Sequence, residues 1–170
     1  MRCSPALLRL VAAAAFALQP CLGLANPPPA QYLPVAARWC LAQGCIELEV
    51  PKSQEQYQRG LMQRPALGAW QGMWFRFNPA QPVSFWMHQC LAPLDLVFVR
   101  EGRVVDIKAD LPPCPRLPCP TYRPAEPVDG VVELKAGRAA ELGLTVGSPA
   151  APTLDSKAPI AAPRPGAPRG

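Results

Sequence analysis

"LDLVFVREGRVVDI", residues 94–107, decides how this chain is read. Leu94, Leu96 and Phe98 alternate with Asp95, Val97 and Val99, and the pattern resumes at Val105 and Ile107. A period of two is that of a strand, whose successive side chains leave on opposite faces. Between the two runs, Glu101-Gly102 supplies a short turn with glycine where positive φ costs little, so the stretch predicts a β-hairpin.

The same period recurs on either side. Ile46, Leu48 and Val50 alternate with Glu47 and Glu49, and Val132 and Leu134 repeat the spacing. Two segments read as helices. Ser53-Gln54-Glu55-Gln56 forms a capping box ahead of "YQRGLMQRP", with Tyr57 and Leu61 on one face and Pro65 as a stop. "AGRAAELGL", residues 136–144, predicts a short helix that ends at Gly143. Many short strands with one or two short helices predict a mainly β domain, either a compact β-sandwich or a partly open barrel.

The ends of the chain have a different composition. Arg2 and Arg9, the apolar run Leu10–Leu18 and the small residues of Gly23-Leu24-Ala25 form a secretory signal peptide over residues 1–25. Gln19-Pro20 ends that run well short of the roughly 18 residues a membrane span needs, so no stable transmembrane span is expected once the signal is removed. Lipidation at Cys21 is the alternative, and Pro20 just before it is a poor fit to such a site. Residues 26–44, opening with "NPPPAQYLP", read as an extended leader, 45–148 as the β domain and 149–170 as a disordered Ala/Pro-rich tail. The expected location is outside the cytoplasm, periplasmic or secreted.

The net charge of +5 belongs to the ends. Residues 26–148 hold twelve Lys or Arg against eleven Asp or Glu, so the central part has no excess charge with which to grip phosphates, and no nucleic-acid partner is expected. Five cysteines follow the signal segment, and two pairs share one spacing: Cys40 with Cys45, and Cys114 with Cys119. In an oxidising compartment this predicts two short-loop disulfides and a leftover Cys90, although spacing alone leaves the connectivity open. The same four cysteines could bind zinc, against which both the spacing and export argue.

Four stretches resemble a known family in order and spacing: "RGLMQR" (59–64), "GMWFRF" (72–77), "FWMHQCLAPLDLVFV" (85–99) and "VVELKAGRAAELGLTVG" (131–147). The family is the prokaryotic one catalogued as domain of unknown function 192, and the resemblance covers roughly residues 45–148. It implies a compact, mainly β domain, often exported, with no established activity. The family pattern is matched at Arg59, Gly60, Leu61, Met62 and Arg64, at Gly72, Met73 and Phe75, and at Phe85, Trp86, Met87, Pro93, Leu94 and Asp95. At residues 88–90, where the family commonly resembles Lys-Asn-Thr, this chain has His-Gln-Cys.

Three constellations follow from these residues. His88, Cys90 and Asp95 are the types a cysteine nucleophile needs. On a regular strand His88 and Cys90 would stand side by side about 6.5–7 Å apart, and no oxyanion-hole pattern accompanies them, so no catalytic residue is assigned. Met62, Met73 and Met87, or His88 with Cys90, are soft donors suited to Cu(I). Strand alternation puts Met87 opposite a face shared by Trp86, His88 and Cys90, and methionine is also an ordinary core filler. Finally, Asp95 inside an apolar run needs a partner, and Arg59 or Arg64 offers a planar guanidinium for it. That pairing is either a lock between helix and sheet or a polar floor for a ligand, with Trp86 stacking on it.

The resulting expectation is an exported, non-catalytic β domain, with no cofactor, that binds a small polar ligand or an envelope protein through Arg59, Arg64, Trp86, His88 and Asp95. The alternative is a Cu(I)-binding or thiol-redox accessory protein of the cell envelope, using Met62, Met73, Met87, His88 or Cys90.

Overall fold

The computed structural model describes residues 27–155. The signal-peptide reading, Cys21 and the end of the Pro-rich tail lie outside them. The hairpin that opened the sequence reading is present as β5 (Leu94–Arg100) and β6 (Arg103–Leu111), paired antiparallel. Glu101 and Gly102 both have positive φ, 50° and 72°, the combination a tight turn between twisted strands requires.

Around this hairpin the chain builds β1 (Val35–Leu41), β2 (Gly44–Glu49), α1 (Gln54–Arg59), β3 (Gln71–Gln81), β4 (Phe85–Trp86), β7 (Thr121–Tyr122), β8 (Val128–Lys135), α2 (Arg138–Glu141) and β9 (Thr153–Leu154). Seven strands form one sheet in the order β6-β5-β8-β3-β2-β1-β9, and β4 pairs with β7 in a small second sheet. Within the large sheet β2 and β3 run parallel while the other pairs are antiparallel. Among the described residues the architecture is therefore mainly β with two short helices, sandwich-like and not closed into a barrel.

Both faces of the large sheet are covered. One buries Trp39, Ile46, Leu48, Val97, Val99, Val132 and Leu134 together with Ala139 and Leu142 at α2. The other buries Met73, Phe75, Leu94, Leu96, Phe98 and Val131 beneath Leu61, Met87 and Cys90. Large apolar side chains removed from water in this way contribute about 1.5–3 kcal/mol each. Strands buried on two faces carry apolar residues at odd and even positions alike, as "LVFV" and "VVEL" do.

The capping box forms as read. Ser53 Oγ accepts from Gln56 N at 3.3 Å, and Gln56 Oε1 accepts from Ser53 N at 3.2 Å. The helix it starts is shorter than Pro65 would permit, because Gly60 turns the chain at φ 45°, ψ −128°. Both predicted disulfides are present, Cys40–Cys45 across the β1–β2 hairpin and Cys114–Cys119 within the "CPRLPC" loop, and Cys90 is buried and free among the described residues.

Two boundaries differ from the sequence reading. β1 lies inside the stretch read as leader, because "VAARWCL" buries Ala37 and Trp39 against β2, and only four apolar or small residues alternate there. Ahead of it, Gln31 Nε2 donates to the carbonyls of Gln56 and Gly60, which ties the leader to α1. At the other end Thr153 and Leu154 add β9 beside β1, so the sheet extends into the stretch read as tail.

Candidate functional site

The site begins with one acidic residue in a central strand. Glu133 in β8 sits between Met73 of β3 and Leu96 of β5 and projects from the face that carries Val131, Phe75 and Phe98. It is only 5% exposed. Above it, α1 and the turn after it meet β3 and the segment around β4 to form a cavity of about 410 Å³ that opens to solvent, lined among others by Tyr57, Phe75, Phe77, Phe85, Trp86 and Glu133. The rings pack edge against face, Phe75 with Phe85 at 5.1 Å between centroids and with Tyr57 at 5.7 Å.

The polar groups around Glu133 are mostly matched to one another. Arg64 Nη1 lies 2.9 Å from Oε1 and 2.9 Å from Oε2 of Glu49, and Tyr32 stacks on its guanidinium at 4.4 Å. Glu49 Oε2 also accepts from Leu33 N at 2.7 Å. Arg59 pairs with Glu55 at 3.0 Å and donates to the Pro29 carbonyl at 3.1 Å. Glu133 Oε2, by contrast, is buried without a hydrogen-bond partner among the described residues, as is Arg64 Nε. Burial pushes the Glu133 carboxyl up to about 8, with the Arg64 guanidinium pulling the other way. A β-carbon on Gly60 would come within 3.9 Å of Glu133 Oε2, so the turn passes directly over the carboxyl.

The predicted residues divide between this cavity and other places. Arg59, Met62, Trp86 and Cys90 line it. Arg64 stands beside it, joined to Glu49. Trp86 is 43% exposed at the rim. Asp95 is elsewhere: period two sends it to the opposite face with Val97 and Val99, where Oδ1 accepts from Asp110 N and Gly137 N and Oδ2 from Ala139 N. Its partners are backbone amides, so the expected pairing with Arg59 or Arg64, and the expected face shared by Arg59, Trp86, His88 and Asp95, are both corrected.

His88 and Cys90 also part company. Gln89 adopts φ 56°, which ends the strand alternation, and Cys90 turns into the core beside Met87 while His88 stays half-buried outside it. His88 packs on Trp86, at 5.2 Å between ring centroids, and its Nδ1 is 3.6 Å from the Cys119 sulfur. The expected common face of Trp86, His88 and Cys90, with Met87 opposite, is therefore corrected by a single left-handed residue. Burial, and secondarily the charge of Glu133, push the Cys90 thiol up to about 12. Met73 and Met87 are packed in that core, and Met62 is half-buried. Among the described residues no group of three or more His, Cys, Asp or Glu is arranged to hold a metal ion, nor is any helix long and apolar enough to cross a membrane.

The family model described as uncharacterized ACR, domain of unknown function 192, matches residues 39–151. The chain belongs to this family. Two solved structures share the fold of this domain-of-unknown-function-192 chain. One, from Sinorhizobium meliloti 1021, is provisionally described as a transcription regulator; it is 27% identical over 74% of this chain and 96% of its own, with a TM-score of 0.60. The other, a protein of unknown function from Novosphingobium aromaticivorans DSM 12444, is 29% identical over 76% of this chain and 94% of its own, with a TM-score of 0.61. No curated protein matches significantly.

Glu133 is the functional candidate that sequence reasoning passed over in this family member. It stands inside "VVELK", where alternation alone gives it to solvent. The available signal was that Val131 and Val132 are both apolar, which marks a strand covered on both faces and hence a buried acid at 133.

Proposed function

We propose that this family member is an exported, non-catalytic β domain that binds a small molecule in the cavity above Glu133. The observation that carries the reading is the buried, unpartnered Glu133 Oε2 at the floor of an aromatic-lined cavity. A desolvated acceptor without a partner costs free energy, and a ligand donor removes that cost. Aromatic walls around one or two convergent polar groups are the usual make-up of a small-molecule site. The N-terminal segment and the two disulfides support export. No nucleophile–base pair is assembled from His88 and Cys90, because they face different surroundings and Cys90 is held as the thiol.

The test is native mass spectrometry of protein isolated from its own cell envelope under non-reducing conditions. A small organic adduct on the wild type that is lost in Met62→Trp, a variant that puts a bulkier side chain on the cavity wall, is the expected result. An empty wild type, or an adduct that Met62→Trp retains, contradicts the reading.

Soft-metal binding is a second reading, because Met62 and Cys90 line the same cavity. Competition with a Cu(I) chelator separates the two. Uptake lost in Cys90→Thr supports copper, and uptake unchanged by that variant contradicts a site built on Cys90.

A further inference from the structure

We propose that the cavity takes a primary or secondary ammonium group joined to an apolar body, with the ammonium against Glu133 and the body against the aromatic walls. This rests on the ligand-binding reading above and names the chemical class of the ligand.

Charge matching around the floor leads to a cation. Arg64 is matched by Glu49 and Arg59 by Glu55, each as a close ion pair, which leaves Glu133 without an ion-pair partner among the described residues. Its free oxygen accepts hydrogen bonds in either protonation state, and for the ionised carboxylate an N–H of an ammonium is the donor that also supplies the missing charge. The faces of Tyr57, Phe75, Phe77 and Phe85 carry the negative side of the ring quadrupole, which attracts cations and repels anions. A carboxylate or phosphate at this floor would meet the ionised form of Glu133 head-on. A hydroxyl would satisfy the hydrogen bond and bring no charge to match the ionised carboxylate.

Gly60 makes the approach possible. At φ 45° it holds a backbone that side chains rarely adopt, and it carries no atom in the space beside Glu133 Oε2.

The proton balance follows from the surroundings of Glu133. The charged and titratable groups facing it are Arg64 from the turn after α1, with Glu49 of β2 behind it, Cys90 from the segment after β4, and Tyr57 and Arg59 from α1. Its cross-strand neighbours Met73 and Leu96 carry no charge. Below about pH 8 the carboxyl holds a proton, so binding of an ammonium releases that proton to solvent and forms the ion pair. No bond other than the O–H is broken.

The experiment is calorimetric titration of the full chain with benzylammonium, benzyl alcohol and benzoate, repeated at pH 6, 7 and 8.5 for the wild type and Glu133→Gln. Benzylammonium is expected to bind at least tenfold more tightly than benzyl alcohol at pH 8.5. It should tighten roughly tenfold from pH 6 to pH 7 with release of a proton, since Glu133 titrates near 8. Glu133→Gln should weaken it at least tenfold and remove the pH dependence, while benzyl alcohol binding is kept. Benzyl alcohol binding as tightly as benzylammonium overturns the ammonium assignment and leaves the ligand-binding reading standing. Failure of all three probes overturns both, and tight benzoate binding overturns the assignment in favour of an anion site.

Discussion

A β-carbon on Gly60 would stand 3.4 Å from the Phe75 ring and 3.9 Å from Glu133 Oε2, so one glycine spaces the α1 turn from both the wall and the floor of the cavity. The turn also holds φ 45°, a region where side chains are strained. Gly60→Ala is expected to cost about 1–3 kcal/mol in urea unfolding and to weaken benzylammonium binding in the protein that remains folded. Unchanged stability would show that the turn relaxes without strain.

Glu133 makes stability depend on pH in an unusual direction. Its carboxyl is raised from 4.5 to about 8, so the folded state holds a proton that the unfolded chain has lost. The contribution is fully present below pH 4.5 and is lost as pH rises to about 8, at a slope of roughly 1.4 kcal/mol per pH unit in that window. Glu133→Gln should flatten this part of the profile and be the more stable protein at pH 9, as read by urea midpoints. Parallel wild-type and variant profiles would contradict a buried, protonated acid.

Asp95 is tied to three backbone amides at 2.8, 3.0 and 2.8 Å, two of them at the start of α2. Hydrogen bonds to a charged group contribute about 1.5–3 kcal/mol each net of the exchange with water. Asp95→Ala is therefore expected to lose about 3 kcal/mol or more, with Asp95→Asn intermediate. Because Asp95 lies on the face opposite the cavity, benzylammonium affinity should be unaltered in whatever fraction stays folded.

Cys90 is buried and its thiol is pushed up to about 12. Peptide mapping after iodoacetamide at pH 8 should leave Cys90 unmodified in the native protein and alkylated once guanidinium unfolds it. Rapid native labelling would mean that the thiol reaches solvent through the cavity.

Much of the fold was legible because its determinants are local. The 94–107 hairpin follows from alternation and one Glu-Gly turn, the start of α1 from four residues of a capping box, and the disulfides from two equal spacings. The site was less legible because it depends on which face a residue takes. Asp95 looked like an arginine partner until alternation was carried through the whole sheet, and His88 was separated from Cys90 by one left-handed residue, Gln89, that no glycine announces. Glu133 was hidden because its strand is covered twice, and β1 because Trp39 and Ala37 sit in a stretch that begins with prolines.

The central claim is that Glu133 is a buried acid waiting for a cationic partner, and the most direct test is to follow its side-chain carboxyl carbon by NMR through a pH titration. The account predicts a midpoint near 8 in the free protein that falls when benzylammonium is added. A midpoint near the ordinary 4.5, unmoved by the amine, would contradict it.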